Sequence, residues 1–143
     1  MNYFDTSALI KRFVDEPGSE RVGALIAAEP ILATSRVAYA EMHAGLARKL
    51  RERAIGAADS RKAARLFDTE WPAYGRLDLP DALLTRARDL VRRHPLRGFD
   101  AIHLASALHL RAAVGEDVRM IAADDRLLAA ADAEGLESVD VRG

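Results

Sequence analysis

Short apolar runs alternate with longer helical patterns along the whole chain, and this alternation limits the possible folds most. Apolar runs of strand length lie at residues 2–4, 31–34 and 118–123, with a weaker candidate at 76–79 and a last one at 137–141. The segments between them show the apolar spacing of helices. Strands that alternate with helices favour a parallel sheet covered on both faces. We therefore expect an α/β fold, a three-layer α/β/α sandwich with a mostly parallel sheet of four or five strands.

Length and composition narrow the class of protein further. With 143 residues, half of them apolar, the chain is expected to form one domain over residues 1–143. It has no cysteine, which leaves only oxygen and imidazole as metal ligands. No run is long enough to span a membrane and no signal peptide precedes the first strand, so we expect a cytoplasmic protein without a membrane partner. The net charge of −1 is atypical of bulk nucleic-acid binding but leaves room for a local basic groove.

Acidic residues stand where a parallel sheet would bring them together. Asp5 and Asp124 each follow an apolar strand, and ligands bind beyond the carboxyl ends of such strands. Asp100 lies in the first turn of a helix whose preceding loop can reach the same edge. Glu41 interrupts a helical face that is otherwise made of small apolar residues, namely Val37, Ala40, Ala44 and Ala47.

Each acid also has a structural explanation. Asp5 and Asp124 could cap the helices that follow them. Asp100 could complement a helix dipole, and Glu41 could simply be exposed. As a group, however, clustered carboxylates repel one another unless a cation neutralises them. Oxygen ligands suit Mg²⁺ or Mn²⁺, and such an ion typically activates water for attack on a phosphodiester.

Four segments of the chain, taken in order, resemble the motifs of PIN-domain proteins, and most closely those of VapC-type toxins. The segments are residues 3–9 (YFDTSAL), 35–41 (SRVAYAE), 96–107 (LRGFDAIHLASA) and 121–131 (IAADDRLLAAA). The third segment is the most specific of them. They are spread from residue 3 to residue 131, so the resemblance extends over nearly the whole chain.

This resemblance implies a PIN-like fold and a Mg²⁺- or Mn²⁺-dependent endoribonuclease, the toxin of a VapBC-type toxin–antitoxin pair. It implies an RNA substrate, a cognate VapB-type antitoxin and a homodimer. The catalytic acids would be Asp5, Glu41, Asp100 and Asp124, and the metal ligands Asp5, Asp100 and Asp124. We expect Asp124 rather than Asp125 to face the metal, because its spacing to Leu127 matches the Asp-x-x-Leu pattern of the family.

Hydroxyl residues next to the first acid could support it or the substrate. Thr6 is predicted to cap the following helix. Thr6 and Ser7 are both predicted to bind substrate phosphate at the helix start or to orient Asp5. His103 shares a helical face with Asp100, but a single histidine makes a poor metal site, so we predict a packing or hydrogen-bonding role.

Among the basic residues, Arg97 is the one expected to bind the RNA, because it lies in the loop before Asp100. A solvated helix face explains most of the others, including Arg48, Lys49, Arg51 and Arg53.

Two other functions remain open at the level of sequence. A haloacid-dehalogenase-like phosphatase would use Asp5 as a covalent nucleophile. Such enzymes carry an Asp-x-Asp motif at the end of the first strand, but here Ser7 replaces the second Asp. A non-catalytic PIN-fold binding module would retain the fold without turnover, although all four acid positions are filled.

Overall fold

A computed structural model describes residues 1–143 and contains one sheet of five parallel strands. The strands are β1 (Asn2–Phe4), β2 (Leu32–Ser35), β3 (Gly75–Leu77), β4 (Arg119–Ala122) and β5 (Glu137–Asp140). Their order across the sheet is β3-β2-β1-β4-β5, and every neighbouring pair is parallel. The predicted fold class is confirmed, including the weak strand candidate that became β3.

Helices connect the strands at the positions that the apolar spacing indicated. They are α1 (Thr6–Leu9), α2 (Ser19–Ala28), α3 (Val37–Arg51), α4 (Ala57–Glu70), α5 (Asp81–Arg93), α6 (Gly98–Val114) and α7 (Asp125–Ala133). Short 3₁₀ turns extend α1 over Ile10–Arg12 and α4 over Trp71–Ala73. No helix combines the length and the apolar character that crossing a membrane requires.

Neighbouring side chains of β1 pack into two different hydrophobic cores, because successive side chains of a strand point to opposite faces of the sheet. Tyr3 joins a cluster formed with the apolar residues of α5, α6 and α7. Phe4 joins the cluster on the opposite face, which holds the buried residues of α1, α2, α3 and α4. Both residues are almost fully buried. The sheet is therefore the middle layer of the predicted three-layer sandwich.

The direction of strand addition reverses at β1. The chain proceeds from β1 to β2 and β3 on one side, then crosses to β4 and β5 on the other. Tyr3 consequently pairs with Ala33 of β2 and with Met120 of β4. Such a reversal opens a crevice beyond the carboxyl ends of the two central strands, where α/β proteins bind ligands.

The apolar face predicted for α3 was wrong. The buried residues of this helix are Ala38, Met42, Gly45 and Leu46, whereas Ala40 and Ala44 are exposed. Met42 and Leu46 decide the orientation, because burying a long side chain removes far more apolar area from water than burying alanine. Glu41 adjoins Met42 and is only partly buried, so it lies at the border of the buried face.

Candidate active site

Asp5, at the end of β1, caps the helix that follows and is almost fully buried. Its side chain is the N-cap of α1, since Oδ1 accepts a hydrogen bond from the Ala8 amide at 3.1 Å. The prediction that Thr6 caps this helix was therefore wrong. The extended backbone of Asp5 directs its carboxylate at the third amide of the helix, as N-caps require. Asp5 is only 3% exposed.

The Ser7 hydroxyl holds the Asp5 carboxylate in place. Its Oγ lies 2.7 Å from Oδ1 and 2.8 Å from Oδ2 of Asp5. The same Oγ accepts a hydrogen bond from the Ala123 amide at 2.9 Å. Ser7 therefore ties the start of α1 to the end of β4 and fixes the orientation of Asp5.

Glu41 reaches the same region from α3 and is bound through one oxygen. Thr6 Oγ1 donates to Glu41 Oε1 at 2.7 Å, and His103 Nε2 lies 2.7 Å from the same oxygen. Burial alone would raise the Glu41 pKa, but the hydrogen bonds from His103 and Thr6 outweigh it and hold this pKa below its ordinary value.

His103 has a larger role than its isolation in the sequence indicated. The side chain is 1% exposed, and Nδ1 lies 2.8 Å from the hydroxyl of Tyr3. Its hydrogen-bonding role agrees with the prediction, but the connection to Glu41 was not foreseen. The only signal in the sequence was the three-residue spacing that puts His103 on the face of Asp100.

The four predicted acids line one cavity of about 510 Å³ beyond the ends of β1 and β4, together with Thr6, Ser7, Arg97 and His103. Asp100 Oδ2 accepts a hydrogen bond from the Arg97 amide at 3.3 Å. Asp124 is the N-cap of α7, because Oδ1 accepts from the Leu127 amide at 2.9 Å. Asp125 does not line this cavity, and its carboxylate pairs with Arg142.

Crowded negative charge marks this cavity. Burial raises the Asp5 pKa from near 3.8 to about 6, with a smaller contribution from Asp100. Burial also raises the Asp100 pKa, and the Asp124 carboxylate adds to that effect. No lysine or arginine forms an ion pair with any of these three acids. His103 partly offsets the rise of both pKa values, and Arg97 partly offsets that of Asp100, but no cationic side chain pairs directly with these carboxylates.

The carboxylates share the cavity without forming a ready-made ligand set. No group of three or more His, Asp or Glu side chains converges closely enough to hold a metal ion. The predicted ligands Asp5, Asp100 and Asp124 are thus brought to one cavity but not into mutual ligating contact.

The basic residues around the cavity fall into two classes. Lys11 and Lys49 both contact Glu16, at 3.2 and 2.7 Å. Arg48 and Arg97 also line the cavity, but their guanidinium groups make no ion pair. The sequence did not separate Arg48 from its neighbours, because the position of Glu16 depends on the packing of α3 against the loop after α1.

Comparisons with known proteins identify the family. The PIN domain profile matches residues 3–133. Ribonuclease VapC45 of Mycobacterium tuberculosis is 37% identical over 126 residues, which cover 88% of this chain and 85% of the relative. Two solved structures are similar in fold. VapC20 of M. tuberculosis, described as a sarcin–ricin loop cleaving toxin, has a TM-score of 0.67 at 20% identity and full coverage of both chains. A toxin–antitoxin complex from Klebsiella pneumoniae has a TM-score of 0.65 at 20% identity, covering 90% of this chain and 91% of its own. This chain belongs to the PIN-domain family.

Proposed function

We propose that this chain is a Mg²⁺- or Mn²⁺-dependent endoribonuclease, a single PIN domain that acts as the toxin of a VapBC-type pair. One observation carries the proposal: four acids from different elements line one cavity at the reversal of strand order, without ion-paired lysine or arginine. The curated relative that shares 37% identity is a ribonuclease by name. A phosphatase of the haloacid-dehalogenase type does not fit the family.

The donor chemistry fits a hard divalent cation. Asp5 and Asp100 both have raised pKa values, chiefly through burial, so a bound cation would relieve the cost of their charges. Mg²⁺ usually keeps several waters and binds through one or two carboxylates, so it does not need a preformed set of three. We assign Asp5 and Asp100 as the direct ligands, with Asp124 completing the site directly or through water.

The bound ion would lower the pKa of a coordinated water and offset the charge that builds on the scissile phosphate. The residues of the chain orient the reactants around it. Ser7 fixes Asp5, and Thr6 fixes Glu41, so that both carboxylates keep a defined position. Glu41 Oε2 accepts no hydrogen bond from the protein and is available to orient the attacking water.

Arg97 and Arg48 are the residues that we propose to bind the RNA phosphates. Arg97 lines the cavity from the residue before α6 and Arg48 from α3, and neither makes an ion pair. Arginine suits this task because its planar fork matches phosphate geometry. Thr6 and Ser7 were predicted as substrate-binding residues, but both hydroxyls are engaged by carboxylates. We therefore assign them to positioning.

The proposed partners are a VapB-type antitoxin and a second copy of this chain, both in the cytoplasm. The similar fold of a chain from a toxin–antitoxin complex supports the first. Leu84, Val91 and Phe99 are large apolar side chains exposed beside one cleft between α5 and α6, which supports a protein contact there. Light scattering of the purified protein, alone and co-expressed with a neighbouring antitoxin gene product, tests both.

RNA cleavage tests the enzymatic proposal. Purified protein is incubated with unstructured and hairpin RNAs in Mg²⁺, in Mn²⁺ and in chelator, beside Asp5→Asn and Asp100→Asn. Asp15→Asn is the control, because Asp15 is exposed and makes no ion pair. We expect metal-dependent cleavage by the wild type and by the control only.

Other outcomes would overturn the assignment. Cleavage that survives chelation, or that survives both active-site substitutions, is incompatible with it. Phosphate trapped on Asp5 would indicate a phosphatase. RNA binding without any turnover in either metal would indicate a non-catalytic module.

A further inference from the structure

A buried hydrogen-bonded chain connects the interior of the sheet to the acidic cavity. It runs from the hydroxyl of Tyr3 on β1 to Nδ1 of His103 on α6, at 2.8 Å, and from Nε2 of His103 to Oε1 of Glu41 on α3, at 2.7 Å. Tyr3 is 0% exposed and His103 1%. Three elements that are distant in sequence thus meet at a single imidazole.

For a neutral His103 ring, the chemistry of the two end groups fixes the tautomer. The hydrogen bonds and the lowered pKa of Glu41 favour its carboxylate form, which can only accept. His103 Nε2 must therefore carry a proton. In a neutral imidazole Nδ1 is then an acceptor, and the Tyr3 hydroxyl is the donor that it needs. A phenol suits this place, because burial raises the Tyr3 pKa well above its ordinary value and keeps the hydroxyl protonated.

This chain leaves the two oxygens of Glu41 in different situations. Oε1 accepts from both Thr6 and His103, whereas Oε2 has no partner in the protein. The two donors restrict rotation of the carboxylate, since turning it would break charge-assisted hydrogen bonds. Oε2 is thereby kept free for a group in the cavity.

We propose that His103 is a positioning residue: Tyr3 fixes its tautomer, and His103 then holds Glu41 so that Oε2 faces the reacting water. This inference rests on the proposed nuclease function. It assigns to Tyr3 and His103 a part in turnover that acts through Glu41.

Turnover in variants separates this role from simple packing. His103→Asn removes the hydrogen-bond donor to Glu41. We expect kcat to fall about 10- to 100-fold, because losing such a supporting hydrogen bond usually costs that much. KM should stay nearly unchanged. His103→Gln places an amide near the position of Nε2 and should restore part of the loss. Tyr3→Phe should lower kcat less than His103→Asn, because the bond to Glu41 remains.

His94 provides the matched control. Its Nε2 lies 2.8 Å from Oε2 of Glu134, so it forms the same kind of pair away from the cavity. His94→Gln should leave both kcat and KM unchanged. In a Glu41→Gln background, His103→Asn should cost little more, because the two residues act as one unit. Independent losses in the double variant, or a loss confined to KM, would refute the positioning role.

A second measurement keeps the inference separate from the nuclease proposal. Long-range ¹H–¹⁵N correlation spectra of the metal-free wild type report the protonated ring nitrogen of His103 without any catalysis. We expect protonated Nε2 and unprotonated Nδ1. The opposite tautomer would overturn the inference even if the protein cleaves RNA. If no RNA is cleaved, the proposed function fails, while the tautomer still decides whether Glu41 is held as described.

Discussion

Replacing Asp5 by asparagine should stabilise the metal-free protein at neutral pH. Burial raises the Asp5 pKa from near 3.8 to about 6, so the ionised carboxylate is less stable in the folded chain than in the unfolded one. A shift of about two pKa units at about 1.4 kcal/mol each gives a penalty of about 3 kcal/mol once the group is fully ionised. Asparagine keeps an oxygen for the Ala8 amide and carries no charge.

The sign of the pH dependence follows from proton binding. Below about pH 4 Asp5 is protonated in both states, and the penalty is absent. Between about pH 4 and pH 6 the folded state holds the proton that the unfolded state has lost, so wild-type stability falls as the pH rises. The advantage of Asp5→Asn over the wild type should therefore grow by about 2 kcal/mol from pH 4 to pH 7, where it approaches the full penalty.

Urea unfolding in chelator at several pH values measures this difference, since urea does not screen charge. Asp15→Asn is the control and should show no such trend, because Asp15 is exposed. Adding Mg²⁺ at pH 7 should stabilise the wild type but not Asp5→Asn, because a ligand stabilises only the state that binds it. A stability difference that is the same at pH 4 and pH 7 would refute the electrostatic argument.

Three further changes test the surroundings of the site. In urea unfolding, Gly18→Ala should destabilise the protein by about 2–4 kcal/mol, because the Gly18 φ is +93° and the new Cβ would lie 1.9 Å from the Val141 carbonyl oxygen. Gly23→Ala is the matched control: the space around its Cβ is open, so this change within a helix should stabilise the protein by about 0.5–1 kcal/mol. Glu16→Gln should cost about 1–3 kcal/mol in the same assay, because it removes the carboxylate between Lys11 and Lys49. Ser7→Ala should raise the Asp5 pKa further, measured by ¹³C NMR of the carboxyl, and should slow RNA cleavage about 10- to 100-fold.

Local sequence signals were sufficient to predict the parallel sheet and the location of two of the four acids. An apolar strand followed by an acid predicts both the strand end and the direction of the side chain, and this held for Asp5 and Asp124. The parallel sheet with helices on both faces also followed from alternating apolar patterns, because each pattern is a property of a few neighbouring residues. The same signals were ambiguous about capping, since Asp5 and Thr6 can both cap a helix.

Tertiary packing decided which side chains meet. The orientation of α3 depended on the space available to Met42 and Leu46 against the sheet, and only that orientation placed Glu41 beside Thr6 and His103. No local pattern encodes a bond between residues 62 or 100 positions apart. The sequence alone thus determined the fold and the edge of the sheet where the acids gather. The way those acids are held, and which arginines remain unpaired, depended on contacts between distant elements.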